Sequence, residues 1–147
     1  MATIRQVYKN IHAVKFKKVV RETILKHQTN MADLNRDQMT RGYNRFEERI
    51  GIYRSDQYEN EKRKKNPIAG GWVDLKDTGE FQSKIVLRLL NKDEYEFFSK
   101  DRKNSILVEK YGNDIFGLSK KSREELIEQD GFRTSLVKNY KQATKLI

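Results

Sequence analysis

The side chains able to carry chemistry are few and widely spaced. His12 and His27 are the only histidines. Fifteen residues apart on one predicted helix, they cannot share a metal ion as an i, i+4 pair can, so both are expected at a surface or an interface. Asp74, Asp77 and Glu80 put three carboxylates in a short span, the composition of a Mg²⁺ site or an acid–base pair. No second cluster complements them, and their Gly-flanked context suits capping and turn formation. Asp77-Thr78-Gly79 has the residue types of a catalytic aspartate triplet but lacks the buried apolar strand that holds one. Ile68-Ala69-Gly70-Gly71 lacks the Gly-Lys-Ser/Thr that completes a phosphate loop, and it reads as a turn. Glu61-Lys62-Arg63-Lys64-Lys65 has the charge of a phosphate-binding or import patch, but the acids before it suit a solvated helix end. Zero cysteines rule out disulfides, thiol catalysis, thiolate zinc sites and iron–sulfur clusters. The expectation is a chain without catalytic residues, metal or cofactor.

A second set of residues points to binding. Tyr43, Phe46, Tyr53 and Tyr58 interleave with Arg41, Arg45, Arg49 and Arg54. Aromatics and arginines can stack on bases, and they are also the favoured anchors of protein interfaces. The second use is preferred here, with Tyr43, Phe46, Arg49, Tyr53, Tyr58 and Trp72 as the interface residues.

The elements that must position these residues follow from periodicity and punctuation. From Ile4 to about Gln28 no Gly or Pro intervenes. Apolar residues at Ile4, Val7, Tyr8, Ile11 and Val14, then Phe16, Val19, Val20 and Ile24, keep helical spacing with a change of phase near Lys15. One long helix touching two surfaces is predicted, dependent on packing because β-branched residues lower its intrinsic helicity. Thr29 to Asp33 reads as an ending and a fresh start, with Asn30 or Asp33 capping a short helix through Met39 that Gly42 closes. Tyr43 to Tyr58 reads as an extended strand or surface arm, followed by a short helix around Ser55 to Lys65. Asn66-Pro67-Ile68-Ala69-Gly70-Gly71-Trp72 is a loop. Ile85 to Leu90 and Glu94 to Phe98, joined by Asn91-Lys92-Asp93, form a β-hairpin. Ser105 to Lys110 is a third strand or a short helix. Ser122 and Glu125 have capping-box spacing for a helix from Arg123 to about Gln129, which Gly131 breaks. Phe132 to Ile147 closes the chain as a helix with Leu136, Tyr140 and Ala143 on one face. The fold class is α+β: a long N-terminal helix, a small β-hairpin-containing sheet packed with short helices, and a C-terminal helix. A single domain over 1–147 is expected, comprising a basic N-terminal helix (1–30), a helix plus aromatic, arginine-rich arm and loop (31–71), an α+β core (72–131) and a basic C-terminal helix (132–147).

The 147 residues are 35% charged and 36% hydrophobic, with 31 basic and 21 acidic side chains and a net charge of +10. Ile85-Val86-Leu87-Arg88-Leu89-Leu90, the longest apolar stretch, falls short of the roughly 20 residues of a membrane span. No uninterrupted apolar stretch follows Arg5 and Lys9 as it would in a secretory signal. An intracellular soluble protein or a virion component is expected, with no membrane partner. The net charge is confined to the ends. Met1 to His27 holds seven basic residues and one acid, Arg133 to Ile147 holds four basic residues and no acid, and the 105 residues between them balance at 20 of each sign. Lys15, Lys17, Lys18, Arg21, Lys138, Lys141 and Lys145 are the cations that would meet DNA or an acidic partner. Neutralising phosphates strengthens binding through counterion release, but helix-borne lysines read no sequence. Solvated faces or an acidic protein partner therefore come first.

Trp72-Val73-Asp74-Leu75-Lys76-Asp77-Thr78-Gly79-Glu80-Phe81-Gln82-Ser83-Lys84-Ile85 is similar to the V-D-T-G-x-L-x-x-S-I element of tail-completion and head-tail neck proteins of bacteriophages. Asp114-Ile115-Phe116-Gly117-Leu118-Ser119, followed by Lys120 to Glu125, resembles their R-P-F-L-G-L-S segment and helix. Gln38 to Gly42, Ile50 to Tyr53, Tyr58, Asn66-Pro67, Val73 to Leu75 and Thr78-Gly79 also resemble small virion proteins of gut Bacteroidetes phages, crAss-like ones included. The resemblance spans about residues 38 to 127. It implies a non-enzymatic structural protein of a phage virion, a head-tail connector or tail-completion ring subunit that joins the portal to the tail. It further implies a homo-oligomeric ring of about 12 copies, contacts with the portal or neighbouring neck and tail proteins, packaged DNA in a central channel, and assembly in the host cytoplasm. Thr78, Gly79 and Phe81 would form its core turn, with Phe81, Ile85 and Leu89 packing helix and hairpin together. The alternative is a nucleic-acid-binding accessory protein that uses the basic terminal segments.

Overall fold

A computed structural model describes residues 3–13, 16–91 and 94–144. The N-terminal stretch is helical over Ile4–Ala13 (α1) and Phe16–Lys26 (α2). Lys15, Lys145, the hairpin turn residues Lys92 and Asp93, and the side chain of His12 lie outside what is described.

The chain does not pause before its next helix. Gln28–Thr40 (α3) begins two residues after α2 ends, and the corner is His27, whose side chain makes no cap. Asn30 and Asp33 therefore sit inside α3 instead of capping it. His27 is buried, contrary to the surface or interface position expected for it. Its Nε2 lies 2.7 Å from Ser135 Oγ and its ring packs on Phe132 at 5.5 Å, which ties the corner to the last helix. At its far end α3 stops where Gly42 adopts φ +82. A Cβ there would lie 3.3 Å from each of Arg49 Nη1, Trp72 Cβ and the Val73 carbonyl, so both the turn and the close approach require glycine.

Asp56–Lys65 (α4) starts on Ser55, whose Oγ accepts from the Tyr58 N–H. Asp56 and Glu59 fall in its first turn and its four bases in the last, as the helix dipole favours. The short Glu80–Ser83 (α5) leads into the antiparallel hairpin of Ile85–Leu89 (β1) and Tyr95–Ser99 (β2), with Ile85 opposite Ser99 and Leu89 opposite Tyr95. The residues after β2 form Asn104–Tyr111 (α6), which settles the third-strand-or-helix ambiguity. Asp101 Oδ1 accepts the Lys103 N–H at 2.9 Å, and this local turn starts the helix. A 3₁₀ turn, Asn113–Ile115, precedes Lys120–Glu128 (α7). That helix begins one turn earlier than Ser122–Glu125 suggests. Ser119 is the cap, its Oγ accepting the Ser122 N–H at 3.2 Å. Phe132–Thr144 (α8) turns Ser135 and Thr144 inward with Leu136 and Tyr140 half-buried, while Ala143 is exposed and not on the packed face.

The core forms around α3. Ala32 and Met39 pack with Val73, Leu75, Phe81, Ile85, Ile115 and Phe116, while Met31 and Leu34 pack on another side with Ile24, Leu87, Leu118 and Leu126. Phe81 and Ile85 join helix and hairpin, but Leu89 is only half-buried. Buried among these apolar groups, Asn35 is 0% exposed. It donates to the Ile115 carbonyl at 3.1 Å and accepts the Gly117 N–H at 3.2 Å. One turn on, Gln38 donates to the Gly117 carbonyl at 3.1 Å and accepts the Ser119 N–H at 2.8 Å. Truncating Asn35 strands two main-chain groups away from water. Asn35→Ala is therefore expected to cost about 2–4 kcal/mol, read as a lower urea-unfolding midpoint with unchanged slope.

Candidate interaction surface

The aromatic and arginine-rich arm folds back on itself. Tyr43 and Arg49 form an isolated antiparallel bridge, and Asn44 Oδ1 accepts the Phe46 and Glu48 N–H groups at 2.9 and 3.0 Å to close the turn between them. The Arg49 guanidinium lies 4.1 Å from the Tyr43 ring centre and 5.2 Å from that of Trp72, and it donates to the Arg41 carbonyl at 3.0 Å. Phe46 stands at the tip, 56% exposed, under the Arg45 guanidinium at 4.6 Å. Arg45 in turn pairs with Asp114 at 3.2 Å. Tyr43, Arg49 and Trp72 thus form one stacked group with Phe46 beyond it.

Tyr53 and Tyr58 form a different group. Their rings meet edge to face at 5.0 Å, and the Tyr53 hydroxyl lies 3.3 Å from Asp74 Oδ1. Asp74 is the buried centre of a polar hub. Its Oδ1 accepts from Lys62 Nζ at 2.8 Å and the Lys76 N–H at 2.9 Å, and its Oδ2 accepts from Asn66 Nδ2 at 2.9 Å. Lys62, only 7% exposed, also donates to the Lys76 carbonyl. The helix run Glu61 to Lys65 is therefore not wholly solvated, because one of its lysines turns inward. Leu75, at φ +55, bends the chain so that Asp74 faces the hub and the next N–H returns to it.

Burial by itself would raise the Asp74 pKa, but donation from Asn66, Lys62 and the Lys76 N–H outweighs it and holds the carboxyl below its ordinary value of 3.8. Burial, reinforced by the Asp74 charge, pushes the Tyr53 phenol up. Asp101 is held low as well, chiefly by the Lys103 N–H. A pocket of about 130 Å³ lies beside this hub, yet the oxygens of Asp74 are already engaged by protein donors.

Asp74, Asp77 and Glu80 do not converge. Asp77 pairs with Lys103 at 3.5 Å and Glu80 with Lys84 at 3.7 Å, each at the surface. Thr78 and Gly79 form the turn before α5, with Gly79 at φ +88 and Thr78 Oγ1 3.4 Å from the Glu80 N. Phe81 lies in the core behind them. Among the described residues, no group of three or more metal-ligating side chains could hold an ion, and no helix is long and apolar enough to cross a membrane.

Large apolar side chains outside the stacked group are also at the surface. Ile52 is 73% and Ile68 69% exposed, in the loops before α4 and before Trp72. On α1, Ile4 is 90% exposed, with Tyr8 and Ile11 following at helical spacing. In the sequence Ile4 and Ile11 mark helix periodicity, and Ile52 and Ile68 fall in an arm and a turn. Isolated apolar residues in loops give no signal of their own. The terminal cations are brought together: α2 packs along α8, with Phe16 6.4 Å from Tyr140 and Asn139 Nδ2 donating to Thr23 Oγ1 at 3.0 Å. Lys17, Lys18, Lys138 and Lys141 are exposed, and Arg21 is half-buried, donating to the Asn91 carbonyl at 3.1 Å.

No protein-family model, curated protein or solved structure matches this chain.

Two outcomes follow from the hub. Lys62→Met leaves the Asp74 charge buried without its cation and is expected to cost about 3–5 kcal/mol, whereas Lys64→Met, at an exposed site, costs less than about 0.5 kcal/mol. Urea unfolding of the two variants measures the contrast. Because the folded pKa of Asp74 is depressed, its contribution is present above the unfolded value and is lost as pH falls through the folded one. Wild-type stability should therefore fall below about pH 4. Asp74→Asn should be less stable near neutrality and show a shallower acid loss in urea midpoints taken across that range.

Proposed function

We propose that this chain is a structural subunit of a phage virion, a neck or tail ring protein of the head-tail connector or tail-completion type that assembles on the portal or on a neighbouring ring. The observation that carries the reading is the distribution of exposed apolar side chains over two different parts of one small subunit. One part is the α1 stripe of Ile4, Tyr8 and Ile11, and the other is the loop surface of Phe46, Ile52, Ile68 and Trp72. A closed ring needs two unlike faces on every copy, because its contacts are head to tail. Exposed large apolar groups backed by stacked arginine and aromatic rings are the composition of interface anchors. Further support comes from the chemistry. Buried Asp74 is engaged by buried Lys62, while Asp77 and Glu80 lie apart at the surface beside Lys103 and Lys84, so these polar groups build the subunit and do not converge on a substrate.

The resemblance to neck proteins falls on residues 72–85 and 114–119, the segments to which α3 bonds through Arg36, Asn35 and Gln38. It accounts for the subunit core and not for α1, which is where a neighbouring protein would be gripped. Substituting Phe81 cannot test assembly, because that ring is in the core and its loss would unfold the chain.

Electron microscopy of the purified full-length protein should show closed rings. Ile4→Ser combined with Ile11→Ser should abolish them while leaving the thermal midpoint within a few degrees of wild type, since both side chains are exposed. A chain that stays monomeric at high concentration and is absent from isolated virion necks would contradict the reading.

A further inference from the structure

We propose that the lobe formed by α1, α2 and α8 is a duplex-DNA-binding surface that grips phosphates without reading sequence. This inference rests on charge placement and does not depend on ring assembly.

The three helices carry nine basic side chains, two on α1, four on α2 and three on α8, against the single acid Glu22. In the sequence these cations belong to opposite ends of the chain. In the structure they form one lobe, because α2 and α8 run antiparallel: Phe16 meets Tyr140 at one end and His27 meets Ser135 at the other. The rest of the molecule is different in kind. Its 20 bases and 20 acids are intermixed, and pairs such as Arg41–Asp37 and Arg45–Asp114 neutralise one another locally. On the lobe, Lys18, Lys26, Lys138 and Lys141 are exposed and have no acidic partner among the described residues.

A surface of one sign suits a polyanion more than a protein. Protein interfaces set register by alternating charge, whereas the phosphate backbone presents one charge per ~1.7 Å of duplex and rewards uniform cations through counterion release. Packed helices lie about 8–10 Å apart, and a major groove is about 12 Å wide. Lysines on the two helices can therefore meet phosphate rows on either side of one groove. Lysine is a flexible point charge and not a planar fork, which suits phosphate contact without base recognition.

The test uses the full-length protein and a fluorescent duplex of mixed sequence, with anisotropy followed from about 50 to 200 mM NaCl. Contact with about five phosphates predicts a slope of log K against log salt of about −4.5, a loss of about 500-fold over that range, and equal affinity for a duplex of only A·T pairs. Combining Lys18→Gln, Lys138→Gln and Lys141→Gln should make the slope shallower by about 2.7. Combining Lys64→Gln, Lys65→Gln and Lys120→Gln removes the same charge from exposed sites on the neutral body and should leave it unchanged. Absence of binding at about 50 mM NaCl, equal loss in both triple variants, or polyglutamate bound as tightly as DNA would overturn the proposal. The last result would assign the lobe to an acidic protein instead. DNA binding by a chain that forms no rings would refute the ring reading and leave this one standing.

Discussion

Two carboxamides on one helix set the interior of this protein. Asn35 and Gln38 project from α3 into space that an apolar helix would fill with methyl groups, and each both donates to and accepts from the main chain of residues 115–119. A buried amide without such partners costs far more than a satisfied one contributes. The loop is therefore held in one conformation, because any shift breaks several bonds together. The Ser122 hydroxyl adds a further contact at 3.1 Å from Gln38 Oε1, which carries the constraint into the first turn of α7.

The same helix holds the other side of the molecule by the same means. Arg36 donates to the Gln82 and Ile85 carbonyls, both at 2.7 Å, and so caps the chain between α5 and β1. Thr40 reaches Gln82, Gln82 donates to the Asp74 carbonyl at 2.6 Å, and Asn66 bridges the Thr40 carbonyl to the Asp74 carboxylate. Lys62 closes the path. A buried ion pair of this kind adds little net stability over an apolar replacement, but here it fixes where the chain turns at Leu75 and where α4 lies. The apolar clusters supply cohesion and the polar path supplies geometry. With the inside fixed in this way, the protein can leave large apolar and cationic side chains outside without losing its fold.

How much of this is readable in the sequence depends on whether the signal is local. The hairpin, the Ser55 helix, the loop at Asn66-Pro67 and the breaks at Gly42 and Gly131 are marked by neighbouring residues and stand where the sequence puts them. Helix α3 is central yet reads as a minor element, because Asn35, Gln38 and Thr40 look like solvent-facing residues when the groups they bond lie about 40 to 80 positions away. Lys62 is hidden among four charged neighbours for the same reason, and its partner Asp74 resembles a turn carboxylate. His27 reads as a surface histidine because Ser135 is remote. Tyr53 belongs to the buried hub and not to the exposed arm, which separates it from Tyr43, Arg49 and Trp72. Both basic ends are visible in the sequence, but only tertiary packing brings them together through α2 and α8.

Native-state hydrogen exchange tests most directly whether polar side chains of α3 set the geometry of the protein. The Gly117 and Ser119 amides sit in a connecting segment outside the regular helices and strands, and each donates to a buried side chain of α3. The account predicts that both exchange only through global unfolding, with protection equal to that of the β1–β2 hairpin. Exchange at the rate of an ordinary surface loop, while the hairpin stays protected, would contradict it.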